Sequence, residues 1–379
     1  GGAVRFGAAL AGTLTTSGDI DTTDDNITFT RAVTLAGAVD IDTTGTAAGN
    51  ILFNSTIATA GNNLALDAGA AGNITLSGAL TGGGNFVVRD GAVQSYQALT
   101  VNSLNIQDAT TSIAFAGDIA ATTTVDVASG GSIVQNGRIT SATNVNYDAG
   151  TTIGINNTIT NSGTVDIDST GVTTIGANGD ITSGGVVTFG AVGAGTLTTS
   201  GDIDTTNDNV TFTRAVTLAG AVDIDTAGAS AGNILFSSTI ATAGNNLTLD
   251  AGPAGNITLS GALTGGGNFV VRDGAVQSYQ ALTVNSLNIQ DATTSITFGG
   301  AIAATTTVDV ASGGVVSINN TITTGGTVNI DSTGVTTIAS AGDITSGGAV
   351  TFGAVGTGTL TTSGDIDTTD DNITFTRAV

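Results

Sequence analysis

The chain of 379 residues has a net charge of −23, carried by seven Arg and thirty Asp, and it contains no Cys, Met, Trp or His. This charge disfavours nucleic acid and anionic membrane surfaces as partners, and leaves cations or basic surfaces. Lys and Glu, both good helix formers, are also absent, while a hydrophobic share of 40% argues against disorder. No apolar run approaches the roughly 20 residues that span a bilayer. Since neither an initiating Met nor a signal peptide is present, we expect an excerpt of a longer chain.

A long repeat organises the chain. The segment GTLTTSGDIDTT begins at Gly12, Gly195 and Gly358, at spacings of 195 − 12 = 183 and 358 − 195 = 163 residues. The long repeats therefore cover approximately residues 12–194 and 195–357, followed by a partial third copy at 358–379. The first repeat contains a block, SIVQNGRITSATNVNYDAG, that the second lacks. Because both flanks are intact, this block predicts a structural unit of about 20 residues.

Three sets of aliphatic residues recur within the long repeats at this shorter spacing. The first set is Ile27, Ile51, Ile74, Val93, Ile113, Ile133, Ile153, Ile175 and Leu197. The second set is Val33, Ile57, Leu80, Leu99, Ile119, Ile139, Ile159 and Ile181. The third set is Val39, Leu64, Phe86, Leu104, Val125, Val145, Val165 and Val187. Many members are followed two places later by another apolar residue, and this period of two is typical of strands.

These sets predict the fold. Three short strands separated by Gly, Asn, Asp and Ser turns make one coil. We therefore predict an all-β fold in which residues 1–379 form one continuous right-handed parallel β-helix, or β-solenoid, with about 20 residues and three short strands per coil. At about 21 residues a coil, the chain would form about 18 coils and a rod of roughly 85 Å.

One segment does not follow the spacing. Leu14 and Ile27 are only 13 residues apart, and the same interval recurs at residues 197–210 and 360–373. The register of these segments stays open at this point. They either hold a short coil or shift the phase of the corners.

Aspartates recur just after the third strand of each coil. The favoured interpretation is turn chemistry, in which a short carboxylate accepts backbone N–H bonds at a corner. Stacked corners would also bring carboxylates to roughly 4.8 Å from one another, which predicts a calcium ladder as the alternative. Its ligands would be Asp42, Asp67, Asp168, Asp225 and Asp250. No other cofactor is expected.

The chain is not expected to be an enzyme. It lacks His, Cys, Lys and Glu, and nearly every remaining candidate occurs twice in equivalent surroundings. Asp pairs such as Asp40 with Asp42 are better explained as a repeated solvated edge than as a catalytic dyad. The Arg residues of the FTRAV and VVRDG segments, which are Arg31, Arg214, Arg377, Arg89 and Arg272, are predicted to compensate neighbouring Asp.

The repeats GDIDTT, NITFTRAVTLAGAVDID and GNNLTLDAGPAGNITLSGALTGGG resemble the central shafts of filamentous-haemagglutinin-like bacterial adhesins and giant autotransporters. The resemblance covers the whole chain. It implies secretion through an outer-membrane pore, an extracellular or cell-surface location, and β-helical rods with roles in adhesion or biofilms.

The expected function is a structural extracellular shaft or fibre that acts by length, rigidity and multivalent contact. Expected partners are the protein itself, through end-to-end or lateral association, and surface glycans or proteins of a host or neighbouring cell. The first alternative is a self-assembling filament or surface-layer subunit. A carbohydrate-active β-helix is the remote alternative.

Overall fold

The computed structural model describes residues 2–7, 12–45, 47, 49–141, 143–191, 195–228, 230, 232–353 and 358–379. The chain is an all-β parallel β-solenoid, as predicted, and it has about 17 turns of about 21 residues each where about 18 were expected. No helix that could cross a membrane occurs in the described ranges. The described residues divide into two compact units, Gly1–Gly184 with Ala191–Gly195 and Gly185–Gly190 with Thr196–Val379.

The first unit consists of short strands joined by tight corners. They are β1 (Val4–Phe6), β2 (Leu14–Thr16), β3 (Ile20–Asp21), β4 (Ile27–Phe29), β5 (Val33–Leu35), β6 (Val39–Asp42), β7 (Ile51–Phe53), β8 (Ile57–Ala58), β9 (Leu64–Asp67), β10 (Ile74–Leu76), β11 (Leu80–Thr81), β12 (Phe86–Val88), β13 (Val93–Tyr96), β14 (Leu99–Val101), β15 (Leu104–Ile106), β16 (Ser112–Phe115), β17 (Ile119–Ala121), β18 (Val125–Ser129), β19 (Ser132–Gln135), β20 (Ile139–Ser141), β21 (Val145–Ala149), β22 (Ile153–Ile155), β23 (Ile159–Asn161), β24 (Val165–Ser169), β25 (Val172–Ile175) and β26 (Ile181–Ser183).

The second unit continues the same pattern, and two of its strands run through a corner. Its strands are β27 (Val187–Ala191), β28 (Thr196–Thr199), β29 (Ile203–Thr205), β30 (Val210–Phe212), β31 (Ala215–Leu218), β32 (Val222–Asp225), β33 (Ile234–Phe236), β34 (Ile240–Ala241), β35 (Leu247–Asp250), β36 (Ile257–Leu259), β37 (Leu263–Thr264), β38 (Phe269–Val271), β39 (Val276–Tyr279), β40 (Leu282–Ile289), β41 (Ser295–Phe298), β42 (Ile302–Ser312), β43 (Val315–Ile318), β44 (Ile322–Thr324), β45 (Val328–Ser332), β46 (Thr336–Ile338), β47 (Ile344–Ser346), β48 (Val350–Gly353), β49 (Leu360–Thr362), β50 (Ile366–Thr368) and β51 (Ile373–Phe375).

Each coil of the first unit contributes one strand to each of three columns of parallel strands. The first column aligns Val4, Ile27, Ile51, Ile74, Gln94, Ile113, Ile133, Ile153 and Thr173. The second aligns Leu14, Val33, Ile57, Leu80, Leu99, Ile119, Ile139, Ile159 and Ile181. The third aligns Val39, Leu64, Phe86, Leu104, Val125, Val145 and Val165. The second and third predicted sets are therefore confirmed in this unit.

The strands of the second unit also align in three columns, each named here after its first residue in this unit. The Leu197 column aligns Leu197, Val216, Ile240, Leu263, Leu282, Ile302, Ile322, Ile344 and Ile366. The Ile203 column aligns Ile203, Ile224, Leu249, Val271, Ile289, Val310, Ile330, Phe352 and Phe375. The Val210 column aligns Val210, Ile234, Ile257, Gln277, Ile296, Val316, Thr336 and Leu360.

The irregular segment from Leu14 to Ile27 holds an additional strand. Leu14 is aligned with Val33 in the second column, and Ile20 is aligned with Ile41 on a strand of the third. The 13 residues therefore contain the end of one coil and the start of the next. Leu197 behaves in the same way, because it is aligned with Val216 and lies in a different column from Val210.

The core is built from side chains that alternate along each strand. Strand β4 has a buried, half-buried, buried pattern, so Ile27 and Phe29 point inward and Thr28 outward. Aromatic residues stack from coil to coil. The ring centroids of Phe29 and Phe53 are 4.3 Å apart, and those of Phe212 and Phe236 are also 4.3 Å apart. Burial of these apolar columns stabilises the stack of coils.

Polar residues occupy two positions that the sequence analysis assigned to aliphatic ones. Gln94 is fully buried in the first column while Val93 is 42% exposed, and Thr173, also buried, takes the place predicted for Ile175. The Tyr96 hydroxyl donates to Gln94 Oε1 at 2.8 Å. Gln94 is satisfied further through its Nε2, which donates to the Asp108 carbonyl at 2.7 Å.

The corners demand glycine where successive coils come closest. A Cβ atom on Gly84 would lie 1.7 Å from the carbonyl oxygen of Asn62 in the preceding coil. On Gly267, at the equivalent corner of the second unit, it would lie 1.6 Å from the carbonyl oxygen of Asn245. Both distances are far inside van der Waals contact, so no residue with a side chain fits without moving the backbone.

Candidate functional site

The structure brings four of the five predicted calcium ligands together in two pairs. Asp42 is aligned with Asp67 in adjacent strands of the first unit, and Asp225 with Asp250 in the second. Asp168 lies elsewhere in the first unit and is aligned with Asp148. The stacking of corner carboxylates is thus present.

Each of the paired carboxylates closes a turn. Oδ1 accepts a hydrogen bond from the backbone N–H two residues further on in all four cases. The distances are 2.6 Å for Asp42 to Thr44, 3.0 Å for Asp67 to Gly69, 2.7 Å for Asp225 to Ala227, and 3.0 Å for Asp250 to Gly252. The turn role is therefore observed directly. Within the described ranges, no group of three or more acidic side chains is placed to hold a metal ion, and the calcium ladder stays a prediction.

Burial and like charge act together on Asp67. Burial raises the pKa of this carboxyl, and the nearby Asp42 and Asp40 carboxylates raise it further. The hydrogen bond from Gly69 and the positive charge of Arg89 lower the pKa and offset part of the rise. The fold therefore disfavours the ionised form of Asp67.

A groove lies beside the Asp42–Asp67 ladder. Its volume is about 440 Å³, and its lining residues are Asp19, Ala38, Val39, Asp40, Asn63, Leu64, Ala65, Val87 and Arg89. The guanidinium of Arg89 donates a hydrogen bond to Asp40 Oδ2, two coils away, and its Nη1 lies 4.0 Å from Asp67 Oδ2. Asp19 Oδ1 accepts the backbone N–H of Asp40 at 2.9 Å. The groove thus combines acidic, amide and basic groups that already bond to one another.

An equivalent groove recurs in the second unit. Arg272 forms a two-pronged ion pair with Asp223, at 3.1 Å to Oδ1 and 2.6 Å to Oδ2. This groove has a volume of about 240 Å³, and Thr248 stands where the first groove has Ala65. The predicted compensation of Asp by Arg is therefore present for both Arg residues of the VVRDG segments.

The same prediction is wrong for the Arg of the third FTRAV segment. Arg377 is 8% exposed, and its Nη1 donates to Ser332 Oγ and Thr336 Oγ1, both at 2.8 Å. Its Nη2 donates to the Ile330 carbonyl at 3.4 Å. Burial lowers the pKa of this guanidinium, and the charge of Asp331 raises it. Arg377 is thus a buried polar residue whose guanidinium donates hydrogen bonds to neutral oxygens two coils earlier.

The strand period contained a signal for this role. In the sequence ITFTR, the inward positions of the strand are the first, third and fifth, which places the Arg on the side of the core. Arg214 is accordingly buried, at 2% exposure. In the first FTRAV segment, the guanidinium of Arg31 donates to the carbonyl of Gly7.

Asp24, Asp40 and Asp42 each take part in a bond that holds the structure together. Asp24 has a positive φ of 64°, and its Oδ1 accepts the backbone N–H of Ala47 at 2.5 Å. Asp40 pairs with Arg89, whereas Asp42 closes its turn. The two members of the Asp40–Asp42 pair therefore have different partners.

Comparison with known proteins gives no match. No protein-family model, no curated protein and no solved structure matches the chain. The fold is consequently established from the coils themselves, and the function is argued from their geometry.

Proposed function

We propose that this chain is a structural segment of an extracellular shaft or fibre of a secreted bacterial adhesin-like protein. The observation that carries the proposal is the strand register. In each unit, three columns pair one coil with the next over the length of the unit, so every coil completes the hydrogen bonding of its neighbours. Such an array is suited to setting a length and to resisting deformation.

The surface supports the same proposal. The groove lined by Asp40 and Arg89 in the first unit has a smaller equivalent in the second, which is lined by Asp223, the ion-pair partner of Arg272. Recurrence of a surface along a stiff support multiplies weak contacts, because one bound site raises the effective concentration at the next. Glycans or proteins of a neighbouring cell surface are the partners proposed for it, together with other copies of the chain.

Repeat number is the variable that tests this proposal. Chains with one, two and three long repeats should form particles in electron micrographs whose length rises with repeat number while the cross-section stays constant. Antibodies against the chain should label intact cells of the producing organism. A particle whose length is independent of repeat number would overturn the shaft.

The two alternatives give different results in the same preparations. A filament subunit would polymerise above a threshold concentration whatever its repeat number. A carbohydrate-active protein would release sugar from a polysaccharide, and replacement of a single Asp would abolish the release. A shaft is expected to release no sugar, and its particle length should follow repeat number even where copies associate.

A further inference from the structure

Two copies of the motif GTLTTSGDIDTT, which begin at Gly195 and Gly358, contribute strands to the second unit, and corresponding strands of the two copies lie in different columns. Leu197 is the third residue of the motif that begins at Gly195, and it opens the Leu197 column. Leu360 has the same place in the motif that begins at Gly358, yet it is aligned with Thr336 in the Val210 column. Ile366, the counterpart of Ile203, lies in the Leu197 column.

The strand that follows the motif is displaced by one column in the same direction. Ile373 is the counterpart of Val210, and it is aligned with Val350 on a strand of the Ile203 column. All three strands of the later copy are therefore displaced by one column relative to the earlier copy. The displacement belongs to the whole motif and is not a local bulge.

The strand count explains this displacement. Between Leu197 and Ile344 the chain returns to the Leu197 column seven times. One strand in the Ile203 column and one in the Val210 column then follow, and the second of these strands contains Leu360. The long repeat thus consists of whole coils plus two strands, one strand short of another coil. Gain or loss of a whole coil leaves this remainder unchanged, and the block Ile133–Thr152 is such a coil because β19, β20 and β21 lie in three different columns.

The displacement turns the outer surface as well. In the second repeat, Asp204 is aligned with Asp225 and Asp225 with Asp250, so the acidic ladder follows the Ile203 column. In the later copy, Asp367 is the counterpart of Asp204 and is aligned with Thr345 in the Leu197 column. The acidic surface therefore begins on another side of the coil.

We infer that the long repeat is a rotational step, which turns the same outer surface by one face of the coil from one copy to the next. Each further copy that repeats the step moves the surface by one more column, and three steps return it to the starting column. This inference rests on the proposed shaft for its biological meaning. A flat partner on one side meets the repeated surface once in three copies, whereas a partner that surrounds the shaft, such as a matrix polymer, meets it in every copy.

Disulfide pairing tests the rotation, and the natural chain has no Cys to interfere. Register partners on adjacent strands lie within the Cα separation that a disulfide requires. The exposed pair Thr337→Cys with Thr361→Cys should oxidise, as should the control pair Thr198→Cys with Thr217→Cys. Thr345→Cys with Thr361→Cys should stay reduced, because these residues lie in different columns. Mass spectrometry and maleimide labelling would measure the bond.

Oxidation of the Thr345–Thr361 pair in place of the Thr337–Thr361 pair would overturn the rotation. Circular dichroism of each reduced variant would verify that it is folded. A second readout uses single biotin labels at Thr206→Cys and Thr369→Cys, which are counterpart positions in the two copies. Bound monovalent streptavidin should project from different sides of the particle in electron micrographs, and projection from one side would contradict the inference. Neither assay requires adhesion, so failure of the shaft function and failure of the rotation are distinguishable.

Discussion

The first unit contains a coil that the second lacks, and its neighbourhood shows how such a coil is accommodated. Arg138 of this coil pairs with Asp118 of the coil before it, with Nη2 and Oδ2 2.8 Å apart. In the second repeat Ala301 occupies the position of Asp118. There Ile302 is aligned directly with Ile322. The second repeat thus lacks both the extra coil and the carboxylate that pairs with it in the first repeat. The strand register on either side of the missing coil is complete.

The buried tyrosines differ between the same regions. The Tyr96 hydroxyl donates to Gln94, and in the second unit the Tyr279 hydroxyl donates to Gln277, both at 2.8 Å. Tyr147 belongs to the extra coil and is fully buried, but its hydroxyl has no hydrogen-bond partner among the described residues. The extra coil therefore satisfies the register of the solenoid but not all of its polar groups. Strand register is therefore a stricter requirement for this coil than a hydrogen bond for every buried polar group.

Deletion of the extra coil gives the largest contrast. Removal of residues 133–152 should leave a folded protein, since the flanking strands can pair as they do in the second unit. Removal of residues 133–142 alone should lower the free energy of unfolding by more than about 4 kcal/mol, because it shifts strands out of their columns. Thermal unfolding followed by circular dichroism would compare the two. Equal melting of both variants would mean that the coil is not the interchangeable unit.

Removal of the tyrosine hydroxyls tests the difference in hydrogen bonding between the buried tyrosines. Tyr96→Phe should destabilise the protein by about 1–3 kcal/mol, because Gln94 Oε1 loses its donor in the core. Tyr279→Phe is the matched variant and should behave alike. Tyr147→Phe should be neutral or stabilising by up to about 1 kcal/mol, since it removes an unsatisfied hydroxyl. Urea unfolding would measure all three, and a loss at Tyr147 as large as that at Tyr96 would contradict the assignment.

The pH dependence of two carboxyl groups should have opposite signs. The folded-state pKa of Asp67 is raised above the ordinary 3.8. Its protonation therefore favours folding, and that stability is present below pH 3.8 and lost as the pH rises through the folded-state value. Hydrogen bonds from Arg138 lower the pKa of Asp118. Its stabilisation is therefore present above pH 3.8 and lost as the pH falls through the folded-state value.

Two substitutions separate these effects. Asp67→Asn keeps the turn acceptor and should raise the melting temperature at pH 7, with a smaller gain at pH 4. Asp118→Asn should lower the melting temperature slightly at pH 7, because it weakens the pair with the extra coil, and should change it less at low pH. Melting curves between pH 3 and 8 would show both trends. A shift of the same sign in both variants would refute this electrostatic account.

Calcium should produce the smallest effect, because each paired carboxylate of the ladder already closes its turn. If the ladder binds calcium, the melting temperature should rise more with calcium than with sodium at matched ionic strength, and chelator should reverse the rise. The combined variant Asp42→Asn, Asp67→Asn and Asp168→Asn should lose this difference, as should Asp225→Asn with Asp250→Asn. Equal stabilisation by the two salts would leave only screening of the negative charge.

Aliphatic spacing was sufficient to predict the solenoid and two of its columns, since those columns are apolar in almost every coil of the first unit. It failed where polar side chains enter the core, as at Gln94, because the spacing of apolar residues does not show the hydrogen bonds with Tyr96 and the Asp108 carbonyl that satisfy this amide. It also left open the phase of the segment after Leu14. The strand Ile20–Asp21 has only two residues, which is too few to show a period.

The corner carboxylates were predicted as a set, and their turn bonds follow from the short reach of Asp. The pairing of Arg89 with Asp40 across 49 residues was less accessible, because it depends on coil length and on which face each strand presents. Arg377 was misjudged since an Arg beside many Asp residues suggests an ion pair. The strand period that turns it inward was the better guide.

The glycine corners bear on how a gene for such a chain can change. At Gly84 and Gly267 the preceding coil leaves no room even for a methyl group, so we expect selection against codon changes that replace either glycine. A new corner assembled by successive point mutations would pass through misfolded intermediates. Duplication or loss of a whole coil by recombination copies or removes a corner together with its spacing. Length should therefore evolve faster than cross-section in proteins of this construction.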